Sequence, residues 1–171
     1  MHTPISTSTY STKTLLGELC TPEIFVVTLV RLRAAAAIDP ASVPEDWRAG
    51  LRAAGVSGLG ADAFDLLMHL FGSVLHARLD IRSLRCGGLG EGEALLLQVI
   101  SLLQHDRYDA AESILSRWLP PGASRVAALQ AQRFGRALAA TRLVVPLRHC
   151  EAAQLDRMLR PTVDRGLALV H

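Results

Sequence analysis

The chain has 171 residues, of which 50% are hydrophobic and 20% charged, and its formal net charge is +2. That length suits one domain with a sizeable core, and so small a charge excludes a protein held to nucleic acid or anionic membrane by net charge alone. A mean hydropathy of +0.26 is high for a soluble monomer, so some apolar surface is expected to be covered by a partner, yet no uncharged apolar run reaches the roughly 18 residues of a membrane span.

Lys13 is the sole lysine. Arginine supplies the other cations, and with abundant Ala, Leu and Gly this is the usage of a GC-rich bacterial genome, so arginine by itself carries little functional weight. Cys20, Cys86 and Cys150 are odd in number and lack Cys-x-x-Cys spacing, which disfavours a secreted disulfide framework. With no signal-peptide pattern at the N-terminus, the expected location is the reducing cytoplasm.

Residues 1–14, rich in Ser and Thr, have no hydrophobic period and are expected to form a flexible N-terminal tail, leaving 15–171 as a single helical domain. Thr21-Pro22-Glu23 is a helix start, with threonine as N-cap and proline at the first helical position. That helix should run from Pro22 to Ala37, burying Phe25, Val26, Leu29, Leu32 and Ala36, until Asp39-Pro40 closes it. Ser42-x-x-Glu45 with Pro44 opens a shorter second helix, Pro44 to Ala54, presenting Trp47 and Leu51. Gly55, Gly58 and Gly60 then read as a flexible connection.

Residues 61–78, ADAFDLLMHLFGSVLHAR, carry apolar side chains around most of the helix circumference, and only Asp65, His69, Gly72, Ser73 and His76 form a polar stripe. The expected architecture is therefore all-α: a single-domain bundle of about six or seven helices around this buried central helix. Leu79 and Ile81 alternate with charged residues, which allows one short β-ribbon with Leu143-Val144-Val145. A third long helix is expected from Gly92 to His105, a fourth from Asp109 to Leu119 and a fifth from Arg125 to Thr141 capped by Ser124. A last short one is expected over Glu151 to Leu159.

Tyr108-Asp109-Ala110-Ala111, followed by Leu119-Pro120-Pro121, makes residues 93–121 similar to a single tetratricopeptide hairpin, in which an aromatic residue and a small alanine let two antiparallel helices pack around a short turn. His105 and Asp106 stand where that repeat usually has glycine, and no second copy follows at a period of about 34 residues. One hairpin builds no groove, so the resemblance transfers no binding residue.

Four constellations carry chemistry. Asp65 and His69 are an i, i+4 pair, and with His76 they form the best candidate for a metal or small-ligand site, although His69 and His76 lie roughly 10 Å apart along the axis. His149-Cys150 with Cys86 and Cys20 makes a zinc or thiol site only if the fold gathers them. The glycine-rich run Cys86 to Glu93 precedes a helix, but it lacks the Lys-Ser/Thr of a phosphate loop, and Glu91 and Glu93 would repel phosphate, so it reads as a connection. Arg125, Arg133, Arg136 and Arg142 lie on or near the helix after the double proline, but Arg125, Arg136 and Arg142 do not form one tight stripe and no complete helix-turn-helix signature is visible, which ranks nucleic acid behind protein as a partner.

No catalytic set and no cofactor follow from these residues. The expected function is non-catalytic: a bacterial interaction protein, such as an adaptor, chaperone or regulatory subunit, binding another protein or a second copy of itself through the face Leu95, Val99, Leu102, Tyr108, Ile114 and Trp118. The alternatives are a metal- or ligand-binding protein using Asp65, His69 and His76, and a DNA-binding regulator.

Overall fold

Apolar side chains recurring at helical spacing close into six α-helices in a computed structural model of the chain, which describes residues 10, 13–39, 41, 46–74 and 79–148. They are α1 (Thr21–Ile38), α2 (Trp47–Ala53), α3 (Gly58–Val74), α4 (Glu91–Gln104), α5 (Tyr108–Ser116) and α6 (Pro121–Ala140), with a short 3-10 turn, Leu16–Glu18, ahead of α1. The all-α expectation holds: no strand occurs among the described residues, and Leu15 and Gly88 form an isolated antiparallel bridge. The segment 79–82 is neither helix nor strand and does not pair with 143–145; Ile81 N instead bonds back to Leu79 O at 2.9 Å in a tight turn, and Val145 N donates to the Gln104 side chain at 2.8 Å. Residues 151–159, where a last helix was expected, lie outside the described residues.

Most boundaries fall within a few residues of their sequence signals. In α1 the N-cap is Cys20 rather than Thr21, because the Glu23 carboxylate reaches back to accept Cys20 N at 2.8 Å and so fixes the third helical position one residue earlier. The α2 N-cap is Asp46, whose side chain accepts Arg48 N at 2.9 Å. In α6 the helix starts at Pro121, four residues before its expected start, and Ser124 lies inside the first turn with its hydroxyl donating to Pro121 O at 3.0 Å.

The most enclosed helix is α4 rather than α3. Residues 92–97 and 99–103 of α4 are all buried, whereas α3 buries Gly60, Ala61, Ala63, Phe64, Leu67, Met68 and Phe71 on one side and leaves Leu66 41% exposed. That single face packs along α6, and the α4–α5 hairpin packs on α6 from another side. The α3–α6 crossing is close because Gly60 faces Ala137: a Cβ at Gly60 would lie 2.5 Å from the alanine Cβ. Trp47, Phe64 and Phe134 then pack in a row, the first pair edge-to-face and the second tilted, with ring centroids 5.4 and 4.8 Å apart, joining α2, α3 and α6.

Three helices end in the same way. After α2, Gly55 (φ 77°) lets Val56 N bond Leu51 O and Gly55 N bond Arg52 O, both at 2.9 Å, which is a Schellman closure. The connection expected to be flexible is therefore tied, and Val56 and Leu51 are buried together beneath it. After α4 the left-handed residue is Asp106 (φ 58°), with Arg107 N on Leu102 O; after α6 it is Arg142 (φ 65°), with Leu143 N on Leu138 O. Aspartate tolerates this conformation by local hydrogen bonding, whereas arginine meets the full clash of its Cβ. Replacing Arg142 by glycine is accordingly expected to stabilise the fold by about 0.5–1 kcal/mol, less than the clash itself because glycine also frees the unfolded chain. Asp106→Gly should gain less. Thermal melts of the two variants decide it, and a lower midpoint for R142G would contradict the assignment.

Candidate functional site

Arg31 interrupts the apolar run of α1 and is 2% exposed, facing Glu93 on α4, which is 1% exposed. Arg31 Nε donates to Glu93 Oε1 at 2.7 Å and Nη2 to Oε2 at 2.8 Å, a bidentate pair. Its remaining N–H groups go to backbone carbonyls of the following loop: Nη1 to Ser83 O (3.2 Å) and Cys86 O (2.6 Å), Nη2 to Gly88 O (2.6 Å). Glu93 in turn accepts Arg82 N at 3.0 Å and Gly90 N at 2.8 Å. Every donor of the guanidinium and every lone pair of the carboxylate is thus used, the condition under which a buried ion pair is tolerated.

This pair fixes residues 79–90, which have no secondary structure of their own. Asp80 adds to it: its carboxylate accepts Glu91 N at 3.0 Å and its carbonyl accepts Gly92 N at 3.2 Å. Gly90 and Gly92 have no Cβ because the Asp80 backbone passes where one would stand, 2.3 and 3.1 Å away. The amides at the start of α4 that a phosphate would need are therefore taken by the Glu93 and Asp80 carboxylates and the Asp80 carbonyl, and the glycine-rich run is a connection, as its acidic residues suggest.

Held this way, Ile81, Arg82, Ser83, Leu84 and Arg85 form one wall of a groove of about 460 Å³, and Ala34, Ala35 and Ile38 of α1 form the other. The two alanines make it concave; Ile38 is 87% exposed at its end and Leu84 43% exposed at its lip. Arg82 is paired with Asp80 at 3.0 Å, and Arg85 is exposed without an ion pair among the described residues. The groove is apolar along its length with arginine at its rim.

A second buried carboxylate, Glu23 of α1, is 0% exposed. It accepts Tyr10 OH at 2.6 Å and is chelated by Arg148, Nε to Oε1 at 2.6 Å and Nη2 to Oε2 at 2.8 Å. Of the expected tail, Tyr10 is thus packed on the domain, 1% exposed, with the Arg148 guanidinium 5.3 Å from its ring centroid. Burial alone would push the Glu23 carboxyl up, but the bonds from Tyr10, the Cys20 amide and Arg148 outweigh it and hold the group below its ordinary value. Burial and the neighbouring carboxylate push the Tyr10 hydroxyl far up. Partial burial beside Glu23 also raises the Cys20 thiol.

The residues singled out from the sequence fall as follows. Leu95, Val99, Leu102 and Ile114 are buried, and Tyr108 and Trp118 are partly buried against the same core. The face assigned to a partner is thus covered within the chain, by the packing of the hairpin on α6. Asp65 and His69 do line one shallow pocket of about 250 Å³ with Arg33, Asp62 and Leu66. The Asp65 carboxylate, however, accepts Arg33 Nε and Arg48 Nη2, each at 2.7 Å, with both guanidinium groups beside the Trp47 ring. Two cations on that carboxylate oppose a metal ion, and among the described residues no three His, Cys, Asp or Glu side chains gather. His76, His149 and Cys150 lie outside the described residues; Cys20 and Cys86 are free thiols. Arg125, Arg133 and Arg136 do share one exposed arc of α6, while Arg142 stands beyond its end.

Sequence reasoning missed Arg31, Glu93 and Glu23. The signal was present: an arginine set between Val30 and Leu32 in the apolar run of α1, and a glutamate three residues after an N-cap in two helices. Comparison with protein-family models, with curated proteins and with solved structures returned no match.

Two outcomes are expected. Arg31→Met and Glu93→Gln should each cost about 3–5 kcal/mol in denaturant unfolding, since each leaves a buried charge or backbone group unpaired. The apolar double variant Arg31→Met/Glu93→Leu should not recover this loss, because three loop carbonyls and two amides lose their partners; recovery of full stability would show that the loop does not depend on the pair. The depressed Glu23 carboxyl stabilises the fold above its ordinary value of 4.5, and that contribution is lost as pH falls through the lower folded value. Wild type should therefore lose stability more steeply than Glu23→Gln below about pH 4.5, and parallel curves would contradict the assignment.

Proposed function

We propose that the chain is a non-catalytic, cytoplasmic interaction protein, and that its binding surface is the groove between α1 and residues 81–85 rather than the α4–α5 hairpin. The observation that carries the reading is an exposed apolar surface built on a rigid loop: Ile38 and Leu84 are left open where the Arg31–Glu93 pair spends two buried charges on holding the adjacent backbone. A wall already ordered before binding loses little conformational freedom in the complex.

The occupant that fits is a run of branched or linear apolar side chains from a partner protein, flanked by an acidic residue that meets Arg85. A polar metabolite fits less well, because the one charged group at the floor, Arg31, has no donor left for it. Glu23 and Glu93 are equally consumed by protein donors, so neither is placed as a general base. High apolar content over the whole chain points the same way.

The test is site-specific photo-crosslinking in cells, with a benzophenone amino acid at position 84 or 35 and, as a control, at Leu59, which is 83% exposed outside the groove. The groove positions should yield one dominant adduct that maps by mass spectrometry to an apolar segment bordered by acidic residues, and Ile38→Asp should abolish it. Since Ile38 is exposed, its substitution should move unfolding by no more than about 0.5 kcal/mol. Identical adducts from Leu59, or a crosslinked segment that is polar, would remove this reading.

A further inference from the structure

A different surface carries an inference that does not rest on the groove. Helix α6 has twenty residues and no carboxylate. At about 100° per residue, Arg125, Arg136, Leu129, Arg133 and Val126 fall in that order within about 100° of its circumference. All five are exposed, with Val126 and Leu129 each 41% open. None of these three arginines has a hydrogen bond, ion pair or ring contact among the described residues. Six other arginines, Arg31, Arg33, Arg48, Arg52, Arg82 and Arg148, are each paired with a carboxylate, whereas Arg85, Arg107, Arg117 and Arg142 have no ion pair among the described residues but stand singly rather than on one helix face.

Arg133 and Arg136 are neighbours three positions apart, a like-charge arrangement that weakens an isolated helix, and no acid on α6 offsets it. The opposite side of the helix is packed on α3, α4 and α5, so the strip is presented on a fixed platform. We propose that this strip is a docking surface for an acidic amphipathic helix of a partner protein. The guanidinium groups ask for carboxylates, and the strip sets their spacing: Arg125 to Arg133 spans about 12 Å along the axis and Arg125 to Arg136 about 16 Å. Between them Val126 and Leu129 ask for apolar cover. A helix with Glu at i, i+7 and i+11 and Leu at i+3 and i+4 supplies both, and guanidinium–carboxylate forks fix its register.

Nucleic acid answers only half of this surface. A phosphate backbone would pair the arginines but leave two branched aliphatic side chains against a polar ligand, and the strip holds no aromatic residue for stacking. An anionic membrane would need a larger apolar face than two half-open side chains to bury its contact.

The experiment is fluorescence anisotropy with the full chain and a labelled peptide of about twenty residues, alanine-based, bearing that Glu and Leu pattern. Parallel titrations use a labelled DNA duplex of similar length and vesicles containing phosphatidylserine. The peptide should bind, tighter than the duplex or the vesicles. Arg133→Glu/Arg136→Glu should weaken it at least about tenfold, and Leu129→Ser should weaken it severalfold without altering the thermal midpoint. Ile38→Asp should leave it unchanged, which separates this surface from the groove. Absence of peptide binding, tighter binding to duplex or vesicles, or an affinity indifferent to Leu129→Ser would overturn the proposal.

Discussion

The ion pair between Arg31 and Glu93 is the interaction on which the rest of the structure turns. Desolvating both charges costs several kcal/mol, and their mutual attraction offsets this only when the remaining hydrogen-bonding capacity is also satisfied. Here it is satisfied by backbone: three carbonyls and two amides of residues 82–90 complete the two shells. The pair is therefore less a stabilising contact between α1 and α4 than a template for a segment with neither helix nor strand. Without it the carbonyls of Ser83, Cys86 and Gly88 would lose the guanidinium that gathers them.

The same device recurs at the other end of α1. Glu23 and Glu93 both occupy the third position of a helix, both accept the amide of the residue before that helix, and both then receive an arginine from far along the chain. The positive end of the helix dipole favours a carboxylate at that position. Once a glutamate has turned back to cap its own helix, its carboxylate is aimed inward and already half satisfied, and an arginine arriving from another segment completes it. Through Glu23 the residues at 10 and 148 are joined to α1; through Glu93 the loop 82–90 is joined to it. Two local capping events thereby become long-range ties, separated by 125 and 62 positions in sequence.

This explains what could be seen in the chain and what could not. The helices were legible because Leu95, Leu96, Val99 and Leu103, or Ala127, Ala131, Phe134 and Leu138, repeat at helical spacing whatever surrounds them. Their burial was not legible, since a window of sequence states which face is apolar and not what covers it. Residues 61–78 looked central by composition, yet Leu66 is open, while α4, with Gly92, Glu93 and Ser101 among its leucines, is enclosed. The hairpin face had the right chemistry for a partner and found one in α6. Asp65 and His69 had the right spacing for a site, and the carboxylate was claimed by two arginines from other helices, Arg33 of α1 and Arg48 of α2. The departure from the tetratricopeptide pattern also acquires a reason: Asp106 takes the left-handed turn that glycine would otherwise supply.

Arginine therefore has two uses in this molecule, distinguished by their surroundings rather than by sequence. Where a carboxylate has been oriented by a helix start or a neighbouring helix, the guanidinium is drawn in and becomes architecture, as at Arg31, Arg148, Arg33 and Arg48. On α6 no carboxylate is supplied, and the guanidinium groups of Arg125, Arg133 and Arg136 are exposed with no carboxylate partner among the described residues. The first group makes the second more useful: a frame tied by saturated buried pairs does not rearrange when a surface is covered, so the electrostatic energy of an incoming acidic segment goes into affinity and register instead of into ordering the protein that receives it.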